Sequence, residues 1–111
     1  MWAGSNKIQT RKESWLKMMN NSQKIIATVK TLREAGFPHD FATTVACTLV
    51  RNLRDFCSLG VEAEMLAAFP NFHAIEDFEM APDFDKDLKL CGTREYWYTT
   101  RVEFGELVFS E

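Results

Sequence analysis

Hydrophobic positions along this chain follow one rhythm in its first half and another in its second. Trp15, Met18, Met19, Ser22, Ile25, Ile26, Val29 and Leu32 fall within an arc of roughly 140° when placed at helical steps of about 100°. That stripe predicts an amphipathic helix from Ser14 to Ala35, with Ser14 as N-cap and Gly36 as the left-handed residue that ends it. Asn20-Asn21-Ser22 offers a second place to start, but the stripe keeps its phase there and favours one continuous helix.

Pro38 suits the first turn of a second helix, with Asp40 favourably placed near its positive end. Phe41, Val45, Leu49, Leu53, Phe56 and Leu59 then form a broad apolar face, widened by Ala42, Ala46 and Val50. Beyond Gly60, VEAEMLAAF reads as a short third helix stopped by Pro70. Phe72, Ile75 and Phe78 suggest one or two further helical turns capped by Asn71.

After Pro82 the apolar residues alternate, as strands require: Phe84, Leu88 and Leu90, then Tyr96, Tyr98, Val102 and Phe104, then Leu107 and Phe109. A two-residue turn at Gly105-Glu106 pairs Phe104 with Leu107 and Val102 with Phe109, which keeps all four on one face. For the first hairpin, a three-residue loop ending at Arg94 sets Leu90 against Tyr96, Leu88 against Tyr98 and Phe84 against Val102. Trp97, Thr99, Arg101 and Glu103 then point outward.

The expected fold class is α+β, with three to four N-terminal helices packed on one face of a C-terminal three-stranded antiparallel meander. A single domain is expected over 1–111, divided into a flexible leader (1–13), a helical part (14–69), an acidic connector (70–83) and the meander (84–110). Its final strand, LVFS, forms an edge through which a homodimer can assemble.

Composition adds little until charge is followed along the chain. Hydrophobic residues at 46% and charged residues at 26% are ordinary for a globular domain and argue against disorder. Nine phenylalanines are more than one small core usually takes, and any left outside it are candidates for a contact surface. The net charge of −3 hides an uneven division. Residues 1–60 carry nine Lys or Arg against four acids, whereas residues 61–111 carry four against twelve.

Neither a secretory leader nor a run of roughly 18 to 20 apolar residues occurs, so a cytoplasmic protein without membrane association is expected. Cys47, Cys57 and Cys91 cannot all pair and show no CxxC spacing, which points to reduced thiols. Cys47 is the more accessible of the two on the second helix.

Candidate chemistry is sparse. Asp83, Asp85 and Asp87 have the DxDxD spacing that opens a calcium loop, but Leu88 stands where glycine makes the turn and Arg94 where glutamate closes the shell. His39, His73 and the cysteines are not spaced as ligand pairs, so no metal or cofactor is expected. There is no glycine-rich phosphate loop, HExxH or GxSxG, so the expected protein is not an enzyme.

What remains is AIEDFEMAPDFDKDLK, residues 74–89, where carboxylates alternate with bulky apolar residues. If those apolar residues dock on the core, the acids become a fixed negative surface. Glu76, Asp77, Phe78, Glu79, Asp83, Asp85 and Asp87 are the candidate partner-binding residues, suited to a basic protein, or to one whose usual ligand is a phosphate backbone that the acids imitate. The expected function is that of a small regulatory or inhibitory protein, a role that also suits an accessory protein of a phage or plasmid.

Two other readings are weighed against it. One is nucleic-acid binding through Lys7, Arg11, Lys12, Lys17 and Lys24 of the basic N-terminal part. A winged helix is a poor fit, because the third helix would bring Glu62 and Glu64 to the phosphates. The other is a small enzyme without a recognisable motif.

Overall fold

Local capping decides where the first helix begins. A computed structural model of the chain describes residues 19–111 and places α1 at Asn21–Glu34. Met19 and Asn20 are not helical, so the continuous helix is overturned in favour of the fresh start at Asn20. The Asn20 Oδ1 accepts from the Gln23 amide at 2.8 Å and the Gln23 Oε1 accepts from the Asn20 amide at 3.0 Å. This reciprocal capping box satisfies two backbone donors and outweighs the unbroken stripe. The Ser14 cap and the leader lie outside the described residues. At the other end Gly36 takes φ +105°, with Phe37 donating to the Leu32 carbonyl and Gly36 to that of Arg33, a Schellman motif around the expected glycine.

Helix α2, His39–Arg51, starts one residue after the proline, which acts as N-cap. The apolar face expected to run on to Leu59 continues, but not as α-helix. Asn52 breaks the helix at φ −151°, and Leu53–Leu59 form a 3-10 helix. Leu53, Phe56 and Leu59 recur every three residues, the period at which a 3-10 helix stacks its side chains. Phe56 is fully buried as a result. The short helix α3 occupies Glu62–Ala68 and buries Met65.

Three antiparallel strands follow in the order β1-β2-β3: β1 at His73–Phe84, β2 at Leu90–Phe104 and β3 at Leu107–Ser110. The β2–β3 register is the expected one, Phe104 against Leu107 and Val102 against Phe109, with Gly105 at φ +56° in the turn. Phe104 sits among Phe69 and Phe109, with ring centroids 4.9 and 6.1 Å away. With Leu32, Val45, Leu49, Phe56, Met65 and Val102 they build the core between helices and sheet.

The first hairpin differs from expectation. Residues 73–84 are strand rather than helical turns and connector, and the turn lies at residues 85–89 instead of 92–94. Phe84 therefore faces Leu90, Glu79 faces Tyr96, Asp77 faces Tyr98 and Ala74 faces Val102. The turn is closed by Asp85, whose amide donates to the Lys89 carbonyl and whose carboxylate accepts from the amides of Asp87 at 2.8 Å and Lys89 at 3.0 Å. Leu88 fills its left-handed position at φ +63°, a place usually held by glycine.

A bulge adds Thr100 to β2, since Ile75 faces Arg101 while Glu76 already faces Thr99. The extra residue reverses the alternation of β2. Thr99 turns inward and is fully buried, where its hydroxyl accepts from the Cys57 amide at 3.0 Å. Trp97 shares the face of Thr99, while Tyr96 and Tyr98 lie on the other. The expected outward positions of Trp97 and Thr99 are thus corrected. No helix among the described residues is long and apolar enough to cross a membrane.

Candidate functional site: a projecting amphipathic hairpin

Helices cover only the near half of the β1–β2 hairpin. On the helix-facing side Phe72, Ala74, Val102 and Phe104 join or pack against the core. Further out, the same face of β1 continues through Glu76, Phe78, Met80, Pro82 and Phe84, and that of β2 through Trp97 and Glu95 to Leu90. From Glu76 to Phe84 this is roughly 27 Å of strand at about 3.4 Å per residue.

Among the described residues nothing covers its apolar side chains. Phe78 is 43% exposed, Trp97 48%, Phe84 53%, Met80 58% and Leu90 67%. The Phe78 and Trp97 rings pack together across the strands at 4.9 Å. The expectation that the apolar residues of 74–89 dock on the core is therefore not met beyond Ala74. The carboxylates are held instead by the backbone ladder, which needs no core beneath it.

The ladder also sorts the candidate partner-binding residues. Asp77, Glu79 and Asp83 share the face away from the apolar stripe, Glu76 and Phe78 lie on the stripe's own face, and Asp85 and Asp87 sit in the turn. On the far face Arg54, from the 3-10 helix, lies 3.7 Å from the centre of the Tyr98 ring and 3.6 Å from the Glu79 carboxylate. Arg94 lies 3.8 Å from Asp83. Between residues 76 and 97 seven acids stand against three basic residues, so the whole projection is negative.

Cys57 anchors the hairpin where it leaves the core, its thiol donating to the Trp97 carbonyl at 3.6 Å while its amide reaches Thr99. Cys91 is exposed near the tip and Cys47 is half-buried in α2. All three thiols are free. Among the described residues no group of three His, Cys, Asp or Glu side chains is arranged to hold a metal ion. Asp83 and Asp85 of the DxDxD run are engaged by Arg94 and by the turn amides.

A cleft of about 420 Å³ opens elsewhere, between the end of α2, the start of the 3-10 helix and the end of β3. Lys24, Arg51, Asn52 and Arg54 give it a basic rim, and neither cysteine nor histidine lines it. Of the basic residues considered for nucleic acid, Lys24 borders this cleft, whereas Lys7, Arg11, Lys12 and Lys17 lie outside the described residues.

The sequence reading missed the apolar stripe as a surface. Its signal was present, since Phe78, Met80, Pro82 and Phe84 alternate, but Glu76 interrupts the alternation before it reaches Ala74 and Phe72. The chain matches no protein-family model, no curated protein and no solved structure.

Proposed function

We propose that this is a small, non-enzymatic regulatory or inhibitory protein that binds a basic protein partner through the projecting hairpin. The observation that carries this reading is the apolar stripe of Phe78, Met80, Phe84, Leu90 and Trp97, uncovered by any other described residue on an otherwise negative projection. Contiguous exposed apolar side chains mark places where proteins meet, and aromatic anchors commonly dominate the binding energy of such contacts. The surrounding acids speed the encounter with a positive surface and reject negative ones. The ladder holds both in place beforehand, which lowers the ordering cost of association. Three unpaired thiols suit a cytoplasmic setting.

Affinity purification of the tagged full chain from its native cells at low salt tests the reading. A protein with a basic surface is expected to be retained, to be released as salt rises, and to be lost when Asp83, Asp85 and Asp87 are replaced by asparagine. Retention of nucleic acid instead, abolished by replacing Lys17 and Lys24, would contradict it and favour the nucleic-acid reading.

A further inference from the structure

The hairpin presents three surfaces to a partner: the outer edge of β1, the face of Asp77, Glu79 and Asp83, and the apolar stripe. The carbonyls of Ile75 and Asp83 face β2, accepting from the Thr100 hydroxyl at 3.2 Å and the Cys91 thiol at 3.4 Å. Main-chain groups of the odd-numbered residues between them therefore point inward, and those of the even-numbered residues point to the open edge.

That edge is obstructed. The outward amide of Phe78 is taken by the Asp77 carboxylate at 2.8 Å, and position 82 is proline, which has no amide hydrogen. The carbonyls stay open, but only the amide of Met80 is left as a donor between them, so an added strand finds an incomplete ladder there. A second copy fits no better. Two-fold registers that keep the faces together and centre on Phe78, Glu79 or Met80 set Asp77 against Glu79, Glu79 against itself, or Asp77 against Asp83. Like charges directly opposite destabilise a strand pair.

The acidic face is partly neutralised by Arg54 and Arg94. On the apolar face no described arginine or lysine pairs with the acids: Glu76 stands at the inner end of the stripe, Glu95 within it opposite Met80, accepting from the Trp97 indole at 3.3 Å, and Asp85 and Asp87 at the tip.

We infer that the apolar face is the surface the partner holds, and that its occupant is a basic amphipathic helix. A helix satisfies its own backbone, so it needs nothing from the obstructed edge, and it offers an apolar stripe about 100° wide. Laid on Phe78, Met80, Phe84 and Trp97, it covers apolar side chains that are 43–58% exposed. Lysines or arginines along its flanks meet Glu76, Glu95 and the tip aspartates. This inference rests on the proposed function and specifies which face, and which partner element, carries it.

Three labelled peptides test it by fluorescence anisotropy against the full chain: a leucine–lysine helix, the same composition rearranged to alternate as a strand, and a leucine–glutamate helix. The first is expected to bind, the second about tenfold or more weaker, and the third not detectably. Phe78→Ser, Met80→Ser and Phe84→Ser together are expected to weaken the first by about tenfold or more, as is Met80→Ser alone to a smaller degree. Asp77→Asn, Glu79→Gln and Asp83→Asn on the other face should change it by less than about threefold. Binding that survives loss of the apolar residues, or preference for the alternating peptide, would overturn the apolar face or the helix while leaving a basic partner in place. Equal binding of the acidic helix would also remove the charge argument for a basic partner. Failure of every peptide overturns the inference, and the purification above then decides the proposed function separately. A dimer in sedimentation velocity that dissociates in the apolar variants would make a second copy the occupant and overturn it too.

Discussion

Replacing Phe104 with alanine is expected to cost about 3 to 5 kcal/mol of folding stability, the usual range for removing a buried phenylalanine. Phe104 is fully buried, comes from the central strand of the sheet, and packs its ring against Phe69 of the α3 exit and Phe109 of β3. Truncation leaves a cavity lined by rings from two layers, which cannot close without moving the helices relative to the sheet. Small domains have roughly 5 to 15 kcal/mol in total, so the loss takes a large part of it. At about 4 to 8 °C per kcal/mol for a domain of this size, the melting temperature should fall by about 12 °C or more. Thermal and urea denaturation followed by circular dichroism measure this. A loss below about 1 kcal/mol would mean that Phe104 is not at the centre of the core.

The opposite result is expected on the hairpin. Phe78→Ser, Met80→Ser and Phe84→Ser together remove as much apolar bulk, yet each residue is at least 43% exposed and touches no helix core. Their combined cost should be about 1 kcal/mol, chiefly the cross-strand contact of Phe78 with Trp97. The same variant should lose most of the fluorescence of a dye that binds exposed apolar surface, and should bind a basic amphipathic helix about tenfold or more weakly. A loss of several kcal/mol would show instead that these side chains belong to the core. Large apolar residues whose removal spares the fold but abolishes contact are the mark of a binding surface.

How far the sequence foretold this arrangement depended on which residue filled each special backbone position. Gly105 stands where the second hairpin turns and Gly36 where α1 ends, and both were placed correctly because only glycine takes those conformations readily. In the first hairpin the left-handed turn position holds Leu88, while Gly92 lies within β2, opposite Asp83, at φ +142°. A turn expected at glycine therefore falls several residues beyond the real one, and every pairing along β1 shifts with it. Phe72, Ile75 and Phe78 are spaced by three and imitate a helix, although Ile75 lies on the opposite face of the strand from the other two. The bulge at Thr100 has no such marker. It reverses the alternation of β2 and sends Thr99 and Trp97 to the side where Tyr96 and Tyr98 were expected. The acidic segment was legible as a feature, but not its division into an apolar and a charged face, because that division follows from the register.

Hydrogen exchange along β1 tests the account most directly, because everything proposed for the hairpin requires an ordered ladder beyond the helices. In the isolated protein the amides of Asp77, Glu79 and Ala81, which point at β2, should exchange several-fold more slowly than those of Glu76 and Met80, which point at the open edge. Uniformly rapid exchange from Glu76 to Phe84 would contradict it, because the stripe and the carboxylates around it would then have no fixed arrangement for a partner to recognise.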